Sequence, residues 1–124
     1  MSRRRARLGR AGERRAARYL KRQGLRLIAR NWRCPLGELD LLMRDGDVLV
    51  VVEVRSARGR FAGGPPYTVG PEKQRRLIRL ARVWMQGARW RPNAVRFDVM
   101  AMRPKGWLRW EIQWFKDAFQ APEA

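Results

Sequence analysis

The sequence predicts a single α/β domain in which a mixed central β-sheet is flanked by helices, in the order αβββαββ. Three observations carry this expectation. The chain has 124 residues, 45% of them hydrophobic, which is enough for one compact core and too few for two. Two alternating apolar runs flank "RDGD", residues 44–47, whose central Asp45-Gly46 is a strong short-range hairpin signal. A basic amphipathic segment opening at Pro71 then separates that hairpin from two later strand-like runs, and a β-helix-β crossover of this kind places part of the sheet in parallel.

Residues 6–23 have helical spacing, with Gly12, Ala16, Tyr19 and Leu20 on one side, arginines around the rest and Gly24 as the stop. "LRLIARNW", residues 25–32, reads as the first strand and residues 34–37 as a turn. Residues 37–43 and 47–55 are the two arms of the hairpin. Residues 56–70, "SARGRFAGGPPYTVG", are rich in Gly and Pro and are expected to form a mobile loop of functional use. Pro71 suits the first position of a second helix, and Glu72 stands by the positive end of its dipole. Leu77, Leu80, Ala81, Trp84 and Ala88 give that helix an apolar stripe, with Lys73, Arg75, Arg76, Arg79 and Arg82 around much of the remainder. "AVRFDVMAM" and "WLRWEIQWF" alternate as two further strands around a Lys105-Gly106 turn, and "KDAF" reads as a short terminal turn of helix.

Charge narrows the function classes. Lys+Arg total 29 against 11 Asp+Glu, a net charge of +18, and lysines stand only at 21, 73, 105 and 116, so nearly all the cations are arginines. The planar arginine fork suits bidentate phosphate contacts, so a polyanion, above all nucleic acid, is the expected partner. A compositional bias of the genome would supply arginines but would not explain why so few acids balance them. There is no histidine, which excludes zinc sites built on imidazole, the Ser-His-Asp triad and His-based acid/base chemistry. Cys34 is the only cysteine; it reads as a small core residue of a protein in a reducing cytoplasm. "MSRRRARLGR" has charge with no apolar run after it, unlike a signal peptide, and no segment approaches a transmembrane length.

Against this background, "GELDLLMRDGDVLVVVEVRSAR", residues 37–58, places Glu38, Asp40 and Glu53 in the most hydrophobic stretch. With Asp45-Gly46 as a two-residue turn, Arg44 pairs with Asp47, Leu42 with Leu49, Asp40 with Val51 and Glu38 with Glu53. Alternation then gathers Glu38, Asp40, Val51, Glu53 and Arg55 on one face and Leu39, Leu41, Val50, Val52 and Val54 on the other. Two carboxylates about 4 Å apart repel by roughly 4 kcal/mol at an effective dielectric of about 20. A divalent cation such as Mg²⁺, with its preference for oxygen ligands, would offset this, and so would an ion-pair network with Arg55 and other arginines. Glu13 lies near the core-facing edge of the first helix and could reach the same face, or serve the helix dipole. Asp98 in "RFDV" shares a strand face with Arg96 and reads as structural. Trp110 and Trp114 alternate into the core, whereas Trp107 and Trp90 are less constrained.

Several motifs in order, "GERRAARYL", "RNWRCPLGELDLL", "VVVEVRSA", "PEKQRRL" and "RFDVM", together resemble the YraN family of bacterial proteins over nearly the whole chain. The resemblance implies a restriction-endonuclease-like fold related to archaeal Holliday-junction resolvases, with a PD-(D/E)xK nuclease site. It implies Asp40 and Glu53 as ligands of Mg²⁺ or Mn²⁺, Glu38 and Glu13 as accessory carboxylates, and phosphodiester hydrolysis of DNA as the reaction. The sequence departs from the pattern at Arg55, where the motif has lysine: a guanidinium stays charged, so Arg55 could orient water or steady a phosphate but not act as a base. Lys73 could supply an ammonium from the second helix, although a surface phosphate contact is the commoner use of such a residue. Leu39 stands where the motif has proline.

Two expectations follow. One is a metal-dependent nuclease-fold protein binding DNA through Lys73, Arg75, Arg76 and Arg79 of the second helix and Arg58 and Arg60 of the loop. The other is a non-catalytic nucleic-acid-binding module of the same fold, its acids reduced to an ion-pair cluster. An anionic membrane surface is the least favoured partner, because no helix joins a strong basic face to a large exposed apolar one. A homodimer is expected by analogy with the related nucleases alone.

Overall fold

The computed structural model describes residues 3–122. The elements run α1 (Arg3–Arg22), β1 (Arg26–Cys34), β2 (Gly37–Asp45), β3 (Val48–Ser56), α2 (Pro71–Gly87), β4 (Ala94–Lys105) and β5 (Arg109–Phe119). The order αβββαββ is the expected one. The five strands form one sheet in the order β1-β2-β3-β4-β5. Only the β3–β4 pair, joined through α2, is parallel, and its register runs without a break from Val48↔Ala94 to Ser56↔Met102.

Both faces of the sheet are covered, which explains why the central strands are apolar on both sides. Ala16, Ala17 and Leu20 of α1 pack on Leu41, Met43, Val50, Val52, Met100 and Met102. Leu77, Ile78, Leu80 and Ala81 of α2 pack on Leu39, Leu42, Leu49, Val51, Phe97 and Val99. Gly12 permits the close seating of α1, since a Cβ there would collide with Ser56 Oγ at the end of β3. No helix among the described residues is long and apolar enough to cross a membrane.

The hairpin register differs from the expected one. Asp45 pairs with Val48, Arg44 with Leu49 and Leu41 with Val52, so Gly46 and Asp47 form the turn. Gly46 has φ 60° while Asp47 is not among the residues of positive φ, the combination of a type II′ turn, which wants Gly at its first central position. Asp45-Gly46 taken as the two turn residues puts the turn one residue earlier. Alternation also fails in β2: Leu39 joins the α2 side although Leu41 and Met43 lie on the α1 side. The acids therefore do not form a face of the hairpin. They collect at the end of it.

The carboxy-terminal segment is a second correction. In place of a helical turn, β5 continues to Phe119, which stacks on Phe97 with ring centroids 4.8 Å apart. Two residues of β4 are set against a longer stretch of β5 between the Phe97↔Phe119 and Val99↔Phe115 pairs. Asp98 sits in that irregularity, 1% exposed. It accepts from Arg96 Nε at 2.9 Å, Arg96 Nη2 at 3.1 Å, Trp114 Nε1 at 2.8 Å and the Asp117 amide at 2.9 Å. Four donors satisfy the carboxylate, so Asp98 has the structural role expected of it.

Candidate functional site

The site begins where the β2–β3 ladder stops. Beyond the Leu41↔Val52 pair the two strands part. Asp40 enters the gap, and its Oδ2 accepts from the Val54 amide at 2.9 Å, replacing the next rung of the ladder. β1 is deformed at the same level. Between Arg30↔Leu41 and Trp32↔Leu39, Asn31 has φ 53°, a left-handed conformation that Asn tolerates better than most residues. The break in alternation at Asp40 thus has a counterpart in the adjacent strand.

Four carboxylates meet around this break. Asp40 is hydrogen-bonded to Glu53 and feels the charges of Glu53 and Glu13. Glu13 in turn feels Glu38 and Glu53 and is hydrogen-bonded to Asp40. With its amide nitrogen turned toward the acids, an orientation assigned from its partners, Asn31 donates to Glu13 Oε1 and Glu38 Oε1, both at 2.9 Å. The Glu38 Oε2 takes Arg33 Nε at 3.1 Å. Glu53 is only 8% exposed, and its Oε2 pairs with Lys73 Nζ. The acids are reached from solvent through a depression whose wall includes Gly9, Arg10, Glu13, Arg33, Glu38 and Asp40.

The electrostatics follow from burial and like charge. Burial, then the Glu53 charge and the hydrogen bond to Glu53, push the Asp40 carboxyl up to about 9, with the Val54 amide opposing. At neutral pH the Asp40 carboxyl therefore keeps its proton. Burial also raises Glu13, although the Asn31 hydrogen bond pulls the other way. Among the described residues no group of three or more His, Cys, Asp or Glu side chains is arranged to hold a metal ion. The donor chemistry nonetheless fits a hard divalent ion, because Mg²⁺ commonly uses one or two carboxylates and completes its shell with waters and phosphate oxygens. Asp40 and Glu53 are the two residues that would hold it.

The structure thus brings together Glu13, Glu38, Asp40 and Glu53 and separates Arg55 from them. Arg55 Nη1 donates to the carbonyls of Pro65, Pro66 and Thr68 at 3.1, 3.2 and 3.1 Å, and Nη2 donates to that of Ala62. Its guanidinium organises the loop that follows β3 and does not face the acids. Lys73 is also placed differently from the surface lysine expected of it. Because Pro71 starts α2, Lys73 stands in the first turn of the helix, where it overhangs the end of β3 and finds Glu53. Arg75, Arg76 and Arg79 are exposed on α2, on the opposite layer of the sheet from α1. Arg58 and Arg60 line a depression with Leu8, Gly9, Val54 and Ser56. It adjoins the acidic one through Gly9.

Two members of the cluster were not among the expected site residues. Asn31 had a sequence signal, a turn-favouring amide inside the apolar run "LRLIARNW". Arg10 had none, being one arginine among many on α1. Comparison with known proteins places this geometry in a family. Residues 12–102 match the model of "Uncharacterised protein family UPF0102", a span that includes Glu13, Asn31, Asp40, Glu53 and Lys73. A UPF0102 protein of Herminiimonas arsenicoxydans is 46% identical over 92% of this chain and 87% of its own length. One from Ectopseudomonas mendocina is 45% identical over 92% of this chain and 95% of its own. One from Pseudomonas entomophila is 44% identical over 90% and 92%. The family expected from the five motifs is this one, and the chain belongs to UPF0102.

Proposed function

We propose that the protein binds nucleic acid and hydrolyses its phosphodiester backbone with a divalent metal held by Asp40 and Glu53. The observation that carries this reading is the half-buried Asp40 beside the buried Glu53 at the parted end of the central strands, in a chain of net charge +18. A carboxyl driven to hold its proton by burial and by the neighbouring Glu53 charge is an unfavourable arrangement for a merely structural cluster and a suitable one for a dication. The bound ion would activate a water and polarise the scissile phosphate. Glu53 is held by Lys73. A lysine ammonium, unlike a guanidinium, can exchange a proton, so Lys73 fills the place left by Arg55 in positioning a water or a phosphate oxygen. Glu13, steadied by Asn31, is placed to accept a proton beside Asp40. Arg10, Arg33, Arg58 and Arg60 border the entrance and supply the phosphate contacts.

The test is cleavage of plasmid, single-stranded and four-way-junction DNA with Mg²⁺ or Mn²⁺ against EDTA, using the wild type and the Asp40→Ala, Glu53→Ala and Lys73→Ala variants. Metal-dependent cutting that is lost in the first two variants is expected. No cutting on any substrate, or equal cutting by the variants, would sink the catalytic reading. Salt-sensitive binding without cutting would leave the non-catalytic module, a reading favoured by one observation, the engagement of Arg55 with loop carbonyls.

A further inference from the structure

We infer that Trp107, at the tip of the β4–β5 hairpin, is a stacking platform for an unpaired base, so that the nucleic acid this protein takes carries a single-stranded segment. The inference rests on the nucleic-acid reading above and specifies its substrate. Trp107 is 97% exposed and its neighbour Leu108 is 71% exposed. A tryptophan is ordinarily highly buried, and nothing among the described residues covers this one. Its position is fixed all the same. The ladder is paired up to Lys105↔Arg109, and Arg15 Nη2 donates to the Leu108 carbonyl at 3.2 Å, tying the tip to α1.

The surroundings of the ring select the partner. Trp107 borders a depression with Arg7, Leu8, Arg58 and Arg109. Leu8 and Arg58 are also walls of the next depression, which contains Val54 and Ser56, and Gly9 joins that one to the depression of Glu13 and Asp40. Three adjoining depressions, bordered by arginines, therefore lie between the exposed ring and the acids. An aromatic face beside a cationic groove is how proteins hold single strands, each stacked base being sequence-tolerant because every base has a π-face. A second copy of the chain is a poor occupant, since the tip is ringed by arginines in a chain of net charge +18. A bilayer is a poor one too, because only Trp107 and Leu108 among the exposed large hydrophobics stand at this tip, Leu36 and Tyr67 lying elsewhere.

Binding in EDTA, where no cutting occurs, tests this apart from catalysis. Fluorescence anisotropy would compare a labelled oligo-dT with a duplex of equal length, at one salt concentration, for the wild type, Trp107→Ala and Trp107→Phe. Trp107→Ala should weaken oligo-dT binding about 10-fold, or about 1.4 kcal/mol, and duplex binding less than about twofold, while Trp107→Phe retains most of the affinity. An unchanged affinity for oligo-dT, or equal losses on both ligands, would overturn the inference and leave the proposed function standing. Failure of the wild type to bind either ligand would overturn both. A Trp107→Ala variant that loses only binding to vesicles of anionic phospholipid, or only self-association in sedimentation, would assign the tip to a membrane or to a second copy and overturn the inference as well.

Discussion

Replacing Asp40 by Asn should make the protein more stable as the pH rises, although it removes a residue from the centre of the fold. The carboxyl is pushed from 3.8 to about 9 by burial and by Glu53. A group whose folded pKa is raised holds its proton more tightly folded than unfolded. Its contribution to stability is therefore complete below the unfolded value and is lost progressively as the pH rises toward about 9. Within that window each pH unit removes about 1.4 kcal/mol, so roughly 3 kcal/mol separates pH 5 from pH 7 for this one group. Asparagine does not titrate, keeps an oxygen for the Val54 amide and offers an N–H to Glu53 in place of the proton. The wild type minus variant difference reports Asp40 together with the acids coupled to it, Glu53 and Glu13, because the groups remote from this cluster are present in both proteins.

Urea denaturation followed by tryptophan fluorescence at a series of pH values measures that difference through the midpoint at constant slope. The variant should gain on the wild type steadily between pH 5 and pH 8. Adding Mg²⁺ should narrow the difference, because ligand that binds the folded state alone stabilises it by about 2.7 kcal/mol at about 100 times its dissociation constant, and the variant lacks one of the two carboxylates. The gain from metal should itself grow with pH, since binding must displace the Asp40 proton. Parallel stability curves for the two proteins without metal would refute the raised Asp40 carboxyl.

Three further outcomes are expected. Gly12→Ala, ordinarily favourable in a helix, should destabilise by about 1–3 kcal/mol because its Cβ meets Ser56 Oγ, as thermal melts would show. Asp98→Ala leaves Arg96, Trp114 Nε1 and the Asp117 amide without their acceptor and should cost about 3–5 kcal/mol in chemical denaturation. Asn31→Gly keeps the left-handed backbone at φ 53° but removes the amide that bridges Glu13 and Glu38. Circular dichroism should be unchanged, while Mg²⁺ affinity measured by calorimetry should fall by about 10-fold or more, the usual effect of losing a group that orients ligands.

The sheet was legible in the sequence because periodicity and turn chemistry are local. The order of elements, the parallel β3–β4 pair and the structural role of Asp98 all follow from strand alternation and the crossover helix. What was illegible depended on neighbours. Asp45-Gly46 is compatible with a turn that begins at either residue, and only the packed register selects Gly46 as the first turn position. The break at Asp40 cannot be read from β2, whose pattern is regular there; it goes with the left-handed Asn31 on the adjoining strand. The acids were recognisable as an anomaly of composition, three carboxylates in an apolar run. The expected face for them was wrong, since both faces of the hairpin are buried.

The charge of Glu53 is balanced from the helix by Lys73 and not by Arg55 of its own strand. Lysine at 55 would place an ammonium on the strand two residues after Glu53. The longer, forked arginine instead finds carbonyls of the loop at Ala62, Pro65, Pro66 and Thr68, which its several donors satisfy better than one ammonium could. That leaves Glu53 without a cation from its own strand. Lys73, set over the strand end by a helix that begins at Pro71, provides one. The loop joins the two positions, and Gln74 Nε2 donates to the Val69 carbonyl at 2.7 Å just before the helix starts. Arg55 thus shapes the segment that delivers Lys73 to Glu53. The residue at 55 thus bears on Glu53 through the loop that leads to Lys73, and the cation beside Glu53 comes from the helix and not from its own strand.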